Sequence, residues 1–202
     1  AMSAGSRKAY LIDEPIAALI GAGVNIGKAR GNMVVDIGGG TTDVAIVSMN
    51  GIVTSHSVRA AGNTLDQAII RYMQTKYKLL IGERTAEDIK IKIGAAFPYE
   101  DESSMDVKGR NLVDGLPKNV VATHFGVKGL SKDQIIYENG VLMAGGGAML
   151  GGLRKLVERT LQVKCVVAKD AIHCVAKGTA IAFRKMDTLL DGFENIAVYQ
   201  FK

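Results

Sequence analysis

A chain of 202 residues is long enough to bury the core of one or two domains, and 48% hydrophobic content with only three prolines excludes a disordered polymer. The net charge is +5, but the basic residues are spread from Arg7 to Lys202 with no basic run interleaved with aromatics, so nucleic acid is not an expected partner. No apolar stretch approaches the roughly 20 residues that span a bilayer and the N-terminus does not read as a signal peptide, while Cys165 and Cys174 lack zinc or CxxC spacing; a cytosolic protein with buried free thiols is expected.

The first clear element is a short apolar strand, Met33–Ile37, carrying Asp36 at its end and followed by Gly38-Gly39-Gly40-Thr41-Thr42. Asp43–Met49 and Ile52–Val58 flank Asn50-Gly51, a pair that accepts the positive φ of a type I′ turn and predicts a hairpin. Asn63 or Thr64 is placed to cap a helix with Leu65, Ala68, Ile69, Tyr72 and Met73 along one face. A second helix is predicted from near Thr85, with Asp88 in capping-box position and Ile89 and Ile93 inward. Met105–His124 reads as short strands around Gly109 and Gly115-Leu116-Pro117. Val141–Ala144 is a strand running into Gly145-Gly146-Gly147, then a helix with Leu150, Leu153, Leu156 and Val157 on one face. Val163–Val167 reads as a strand, and Asp170 as the cap of a last helix bearing Ile172, Val175, Ala176 and Thr179. Strands alternating with helices predict an α/β fold with a mixed sheet.

Two of these elements carry chemistry. Each is a strand followed by a glycine triplet: Asp36-Ile-Gly-Gly-Gly-Thr-Thr and Ala144-Gly-Gly-Gly-Ala. Neither is a Walker A loop or a GxGxxG turn. The first offers backbone N–H groups and the Thr41 and Thr42 hydroxyls to an anion, as a hairpin clamp on phosphate. The second precedes a predicted helix, whose N-terminal N–H groups favour negative charge. Either triplet alone also reads as a tight turn without a ligand. Glu14 reads, on local grounds, as a first-turn carboxylate ahead of Pro15. His56, His124 and His173 are isolated in sequence and read as structural, and Ser55 and Ser57 beside His56 do not make a triad. Met143 and Met149, flanking the second triplet, read as packing.

As an ordered pair the two turns are more specific. They resemble the phosphate-2 and adenosine motifs of the actin, hexokinase and Hsp70 ATPase superfamily. Within it, Tyr10-Leu-Ile-Asp-Glu-Pro-Ile-Ala-Ala, Gly62-Asn, Ile81-Gly-Glu-Arg-Thr-Ala-Glu, Lys108-Gly-Arg-Asn-Leu and Gly115-Leu-Pro-Lys are similar to MreB, the bacterial cell-shape actin. The resemblance covers the chain from about Gly5 to Met186. It implies one half of an actin-like ATPase, a ribonuclease H-like α/β fold whose mixed sheet is flanked by helices, with a small inserted α+β subdomain. Residues 1–60 and 125–202 would form the core subdomain (IIA-like) with a C-terminal helix, and 61–124 the insertion (IIB-like).

The resemblance also implies a site for ATP or ADP with Mg2+. Asp36 would sit near the metal through its water shell, and Gly38, Gly39, Gly40, Thr41 and Thr42 would clasp the β- and γ-phosphates. Glu14 would orient the attacking water with Thr41 as its partner, since phosphoryl transfer needs positioning and charge stabilisation more than covalent help. Gly145, Gly146 and Gly147 would pack beside the adenosine and α-phosphate, and Lys90 near the ribose or adenine. Lys92 stands where MreB proteins usually carry a glutamate that contacts the nucleotide sugar. The sequence also has no Asp-x-Gly-Thr phosphate-1 loop, and only the short stretch Phe125–Glu138 stands where the family has a long helical segment.

An ATP site with one wall stays open to water, so the chain alone is expected to be catalytically inactive. The implied function is that of a filament-forming bacterial actin controlling cell shape, cytoplasmic, with filaments at the inner face of the membrane. Its partners would be copies of itself and membrane-associated morphogenesis proteins, with lipid reached only through the first domain. The alternatives are a non-polymerising Hsp70-like ATPase relative and an interaction module with a degraded nucleotide site.

Overall fold

The computed structural model describes residues 2–5, 9–96, 103–123, 125–126 and 140–184. In chain order its elements are α1 (Glu14–Gly21), β1 (Asn32–Ile37), β2 (Thr42–Ser48), β3 (Gly51–Val58), α2 (Gly62–Tyr77), β4 (Leu79–Leu80), α3 (Glu83–Ile93), β5 (Gly94–Ala95), β6 (Ser104–Asn111), β7 (Pro117–Thr123), β8 (Phe125–Gly126), β9 (Val141–Ala144), α4 (Leu153–Leu161), β10 (Cys165–Val167) and α5 (Cys174–Arg184). His124 and most of the stretch Phe125–Glu138 lie outside the described residues, as does everything after 184.

The main sheet runs in the order β10-β9-β1-β2-β3. Strands β1, β2 and β3 are successive antiparallel neighbours, while β9 lies parallel to β1 and β10 parallel to β9. This is the mixed, helix-flanked sheet that the sequence predicts. Side chains alternate between its two faces. Val34, Ala45 and Val47 pack with Ile16 and Leu19 of α1 and with Cys174 of α5. Met33, Ile46, Val141, Met143 and Cys165 pack on the opposite face with Leu153, Leu156 and Val157 of α4. With both faces covered, a central strand must be apolar almost throughout, which is how β1 and β9 read.

Helices α1 and α5 lie against each other through backbone rather than side chain. A Cβ added at Gly21 would collide with the Cys174 carbonyl, and one added at Gly178 with the Ala17 carbonyl. The small residues Ala17 and Ala18 are fully buried beside them. A second apolar cluster forms around α2, α3 and the antiparallel strands β4, β6 and β7, with Ile69, Met73, Leu79, Ile89 and Val107 at its centre. The two short strands β5 and β8 pair in parallel.

Several local expectations are corrected by the structure. In the hairpin, positive φ falls on Met49 and Asn50, and Gly51 already pairs with Ser48 as the first residue of β3. The segment before β1 fixes this position, because the N–H groups of Met49 and Asn50 donate to Lys28 and Ile26 carbonyls at 3.2 and 3.0 Å. Neither Asn63 nor Thr64 caps α2. Its first two N–H groups, on Gly62 and Asn63, donate to the carbonyls of Gly38 and Gly39 at 3.1 and 2.8 Å, so the glycine turn itself is the cap. On α2 the buried stripe is Asp66, Ile69 and Met73, whereas Ala68 and Tyr72 are exposed. That rotation follows from Asp66 being drawn inward by an ion pair with Lys90.

Helix α3 starts at Glu83 after Gly82, ahead of Thr85, without a side-chain cap; Ile89 and Ile93 are buried as predicted. Gly109 lies inside the continuous strand β6, where an added Cβ would press on Leu79 and Ile81. Asp170 precedes a three-residue 3-10 turn, Ala171–His173, and its carboxylate engages His173 and Lys177 instead of backbone. Ile172 is exposed, and α5 begins only at Cys174.

Candidate functional site

The register of β1 and β9 decides where the two glycine turns lie. Met33 pairs with Val141 and Asp36 with Ala144 in a parallel ladder, so both strands end at the same edge of the sheet. Neighbouring strands are about 4.8 Å apart, and the two chains turn through glycine within that spacing. The second turn lies directly against the end of β1. A Cβ at Gly145, whose φ is +80°, would overlap the Ile37 carbonyl and the Asp36 carboxylate, and one at Gly147 would overlap the Ile37 side chain. The carboxyl edge of adjacent parallel strands is the usual place for a ligand in open α/β sheets.

Within the first turn, the Gly38 N–H donates to the Thr41 carbonyl at 2.9 Å, closing a tight bend. The N–H groups of Gly39 and Gly40 have no acceptor among the described residues, and both glycines are exposed. The second turn is a short 3-10 segment, Gly146–Met149, rather than the start of a helix; α4 begins at Leu153. The expected pull of a helix dipole on a ligand there is therefore lost. What remains is backbone: Gly145 N–H is taken by the Ala171 carbonyl at 2.9 Å, while those of Gly146 and Gly147 meet no acceptor among the described residues.

Asp36 sits between the turns and is 4% exposed, with its Oδ2 buried and without a partner. Burial is the main reason its carboxyl is pushed up to about 6; the charges of Glu14 and Asp43 add to the effect. Asp43 is its register partner across β2, a like-charge pair that costs stability. A buried acceptor without a donor, in a field of other carboxylates, is the environment a hydrated cation relieves. Among the described residues no three His, Cys, Asp or Glu side chains converge as a metal cage. A cation here would rest on Asp36 through water, with ligand oxygens completing its shell.

Glu14 is the first residue of α1, exposed, with no hydrogen bond that would make it a cap. It lines a recess of about 250 Å³ together with Asp13, Asp43, Ser55, His56 and Ser57. Its charge reaches Asp36, so both carboxylates belong to one neighbourhood. Thr41 is exposed at the turn. The Thr42 hydroxyl is already engaged, donating to the Ala60 carbonyl at 2.7 Å. That bond ties the turn to the chain entering α2.

Lys90 reaches the same place from α3. Its ammonium bonds Asp66 Oδ2 at 2.8 Å and the Gly62 carbonyl at 3.3 Å. A Cβ at Gly62 would lie 3.3 Å from that ammonium and 3.4 Å from the Gly38 carbonyl, which places Lys90 beside the phosphate-type turn. Lys92, by contrast, is exposed. Asp66 is the site neighbour that sequence reasoning assigned no role, while Asn63, read there as a side-chain cap, instead donates its backbone N–H to the turn, as Gly62 does. An acidic residue in register with Ile69 and Met73 on an otherwise apolar stripe is the signal that could have found Asp66.

The MreB/Mbl protein family profile matches residues 1–135 and 128–191. The chain belongs to the MreB/Mbl family. It is 41% identical over 210 residues to the cell shape-determining protein Mbl of Bacillus subtilis (strain 168), covering 94% of this chain and 63% of that protein. It is also 41% identical to the cell shape-determining protein MreB of Escherichia coli (strain K12), covering 93% of this chain and 60% of the relative. The chain thus spans less than two thirds of the length of these family members. Among solved structures, MreB5 of Spiroplasma citri bound to AMPPNP superposes with a TM-score of 0.81 at 30% identity, covering 94% of this chain and 63% of that one. MreB5 bound to ADP gives 0.82 at 29% identity, covering 95% and 65%. These similarities support the actin-like reading of the sheet and its helices.

Proposed function

We propose that this chain is the nucleotide-binding half of an MreB-like bacterial actin that polymerises into filaments controlling cell shape. The observation that carries the reading is the pairing of Asp36 with Ala144, which sets two glycine turns side by side, with the N–H groups of Gly39, Gly40, Gly146 and Gly147 meeting no acceptor among the described residues. The related MreB5 of Spiroplasma citri is solved with AMPPNP and with ADP, which supports a nucleotide as the ligand here. Residues 1–60 and 125–202 form the core subdomain in this reading, and 61–124 the inserted one.

The roles follow from chemistry at each position. Gly38 to Thr42 hold the β- and γ-phosphates, chiefly through the Gly39 and Gly40 amides, since Gly38 N–H and the Thr42 hydroxyl are already engaged. Gly145, Gly146 and Gly147 lie against the adenosine side, where the lack of side chains lets a flat ligand approach backbone. Asp36 carries a hydrated Mg2+, which when bound neutralises phosphate charge. Glu14, with Thr41, orients the water that attacks the terminal phosphate. Lys90 supplies a fixed positive charge at the first turn. The lysine at position 92 is exposed and is not counted among these groups.

Within these 202 residues only one wall of such a site is present. On its own the chain binds nucleotide weakly and turns it over negligibly, because water is not excluded from the phosphate. Partners in this reading are further copies of the protein and membrane-associated morphogenesis proteins, at the inner face of the membrane. No helix of the described residues is long and apolar enough to cross a membrane.

Calorimetric titration of the chain with ADP and Mg2+ tests the reading. Saturable binding supports it, and no heat at millimolar ADP overturns it. Pelleting of the full-length protein with ATP tests the filament part, and a protein that stays in the supernatant would contradict polymerisation.

A further inference from the structure

Asp66 is an unusual residue to find on the buried stripe of α2. It is 8% exposed, sits one turn into the helix among Ile69 and Met73, and leaves Oδ1 buried with no partner. A carboxylate in such a position is costly unless it serves a charge. The charge it serves is Lys90, 24 residues away on α3, whose ammonium lies 2.8 Å from Oδ2. Lysine is a flexible stem that in isolation swings toward water. Here the side chain is only 16% exposed and is held against the Gly62 carbonyl, beside the first glycine turn.

We infer that Asp66 is a positioning residue: it fixes the Lys90 ammonium at the mouth of the glycine turn, so that its remaining N–H is aimed at an oxygen of the bound nucleotide. An ammonium has three donors, and Asp66 and Gly62 take two of them. The third meets no acceptor among the described residues. A pre-placed donor binds better than one that must be ordered when the ligand arrives. The same link ties α2 to α3 at the point where the N–H groups of Gly62 and Asn63 cap onto Gly38 and Gly39, so ligand contact at Lys90 is felt directly by the turn. This inference rests on the nucleotide reading above and adds to it the residue that orients the cation.

The test combines a double-mutant cycle with a direct view of the ammonium. Mg·ADP affinity is measured for wild type, Asp66→Asn, Lys90→Met and the double variant, with thermal melts to establish folding. Nitrogen-15 NMR of the lysine side chains reads Lys90 itself. Wild-type chain should show a slowly exchanging ammonium signal that shifts with Mg·ADP, and Asp66→Asn should lose that signal. Asp66→Asn alone should weaken binding by about tenfold, the scale of one charge-assisted contact. In the Lys90→Met background the same change should do nothing, because a residue that acts through another has no effect once its partner is gone. Equal losses in both backgrounds, or a signal and affinity untouched by Asp66→Asn, would overturn the inference. Absence of ADP binding in the folded wild type would instead count against the nucleotide reading, and a slowly exchanging Lys90 signal that ignores every nucleotide would reduce Asp66 to a structural partner.

Discussion

Asp36 on β1 and Ala144 on β9 are partners in a parallel ladder, and the carboxylate of Asp36 lies under the backbone of Gly145. The two strands leave the sheet at one edge, and the second turn passes without side chains at Gly145 and Gly147 because Asp36 and Ile37 at the end of β1 occupy the space. The site is thus a consequence of packing two turns against one acid.

This closeness makes a sharp contrast between neighbouring glycines. Gly145 has φ +80° and no room for a Cβ, whereas Gly146 has nothing within 4 Å of the added atom. Gly145→Ala should lower stability by about 1–3 kcal/mol and weaken nucleotide binding. Gly146→Ala should change stability by less than about 0.5 kcal/mol. Urea unfolding of both variants checks the pair, and equal effects would mean the second turn is free of Asp36.

The α1–α5 contact should be as intolerant. Gly178→Val places a branched side chain on the Ala17 carbonyl and has to spread the helices. A loss of about 1–3 kcal/mol is expected, read from the denaturant midpoint. The spread would also displace Glu14 at the start of α1, so nucleotide affinity should fall with it.

Asp36 gives a pH dependence whose sign is fixed. Folding raises its carboxyl from 3.8 to about 6, so between those values the folded chain binds more protons than the unfolded chain. Its contribution is most favourable at and below pH 3.8 and is progressively lost as pH rises to about 6, staying lost above. Asp36→Asn removes the charge and should stabilise the ligand-free chain at pH 7.5, with an advantage that fades toward pH 4. Denaturant midpoints across that range decide it; an advantage that grew toward acid would reverse the assignment.

The fold was largely legible because its strands are apolar on two faces and its turns are written in glycine. Met33–Ile37 and Val141–Ala144 could be read as buried strands, and their order with the triplets gave the architecture. Helix starts were less legible. Asn63, Thr64 and Thr85 look like caps in sequence, yet α2 is capped by the carbonyls of Gly38 and Gly39, which are distant in sequence. The face of α2 was misread for a related reason. Periodicity ranks Ala68 and Tyr72 above an aspartate, and only the arrival of Lys90 from another helix makes Asp66 an inward residue. The Met49–Asn50 turn was displaced from the Asn50-Gly51 pair by contacts with Ile26 and Lys28. In each case a long-range partner outweighed a local preference.

The thiols offer a check on the main core. Cys165 and Cys174 are each 1% exposed, and burial pushes both up, Cys165 to about 11. Little thiolate exists at neutral pH, and access is closed. Both should resist a thiol reagent in the folded chain and react at once in urea. Prompt reaction of either without denaturant would show that α5 or β10 opens readily.

The most direct measurement is amide NMR of the glycines as Mg·ADP is added to the chain. Resonances of Gly39 and Gly40 and those of Gly146 and Gly147 are predicted to move together along one saturation curve. Shifts confined to a single triplet, or two curves with unrelated midpoints, would contradict a shared site.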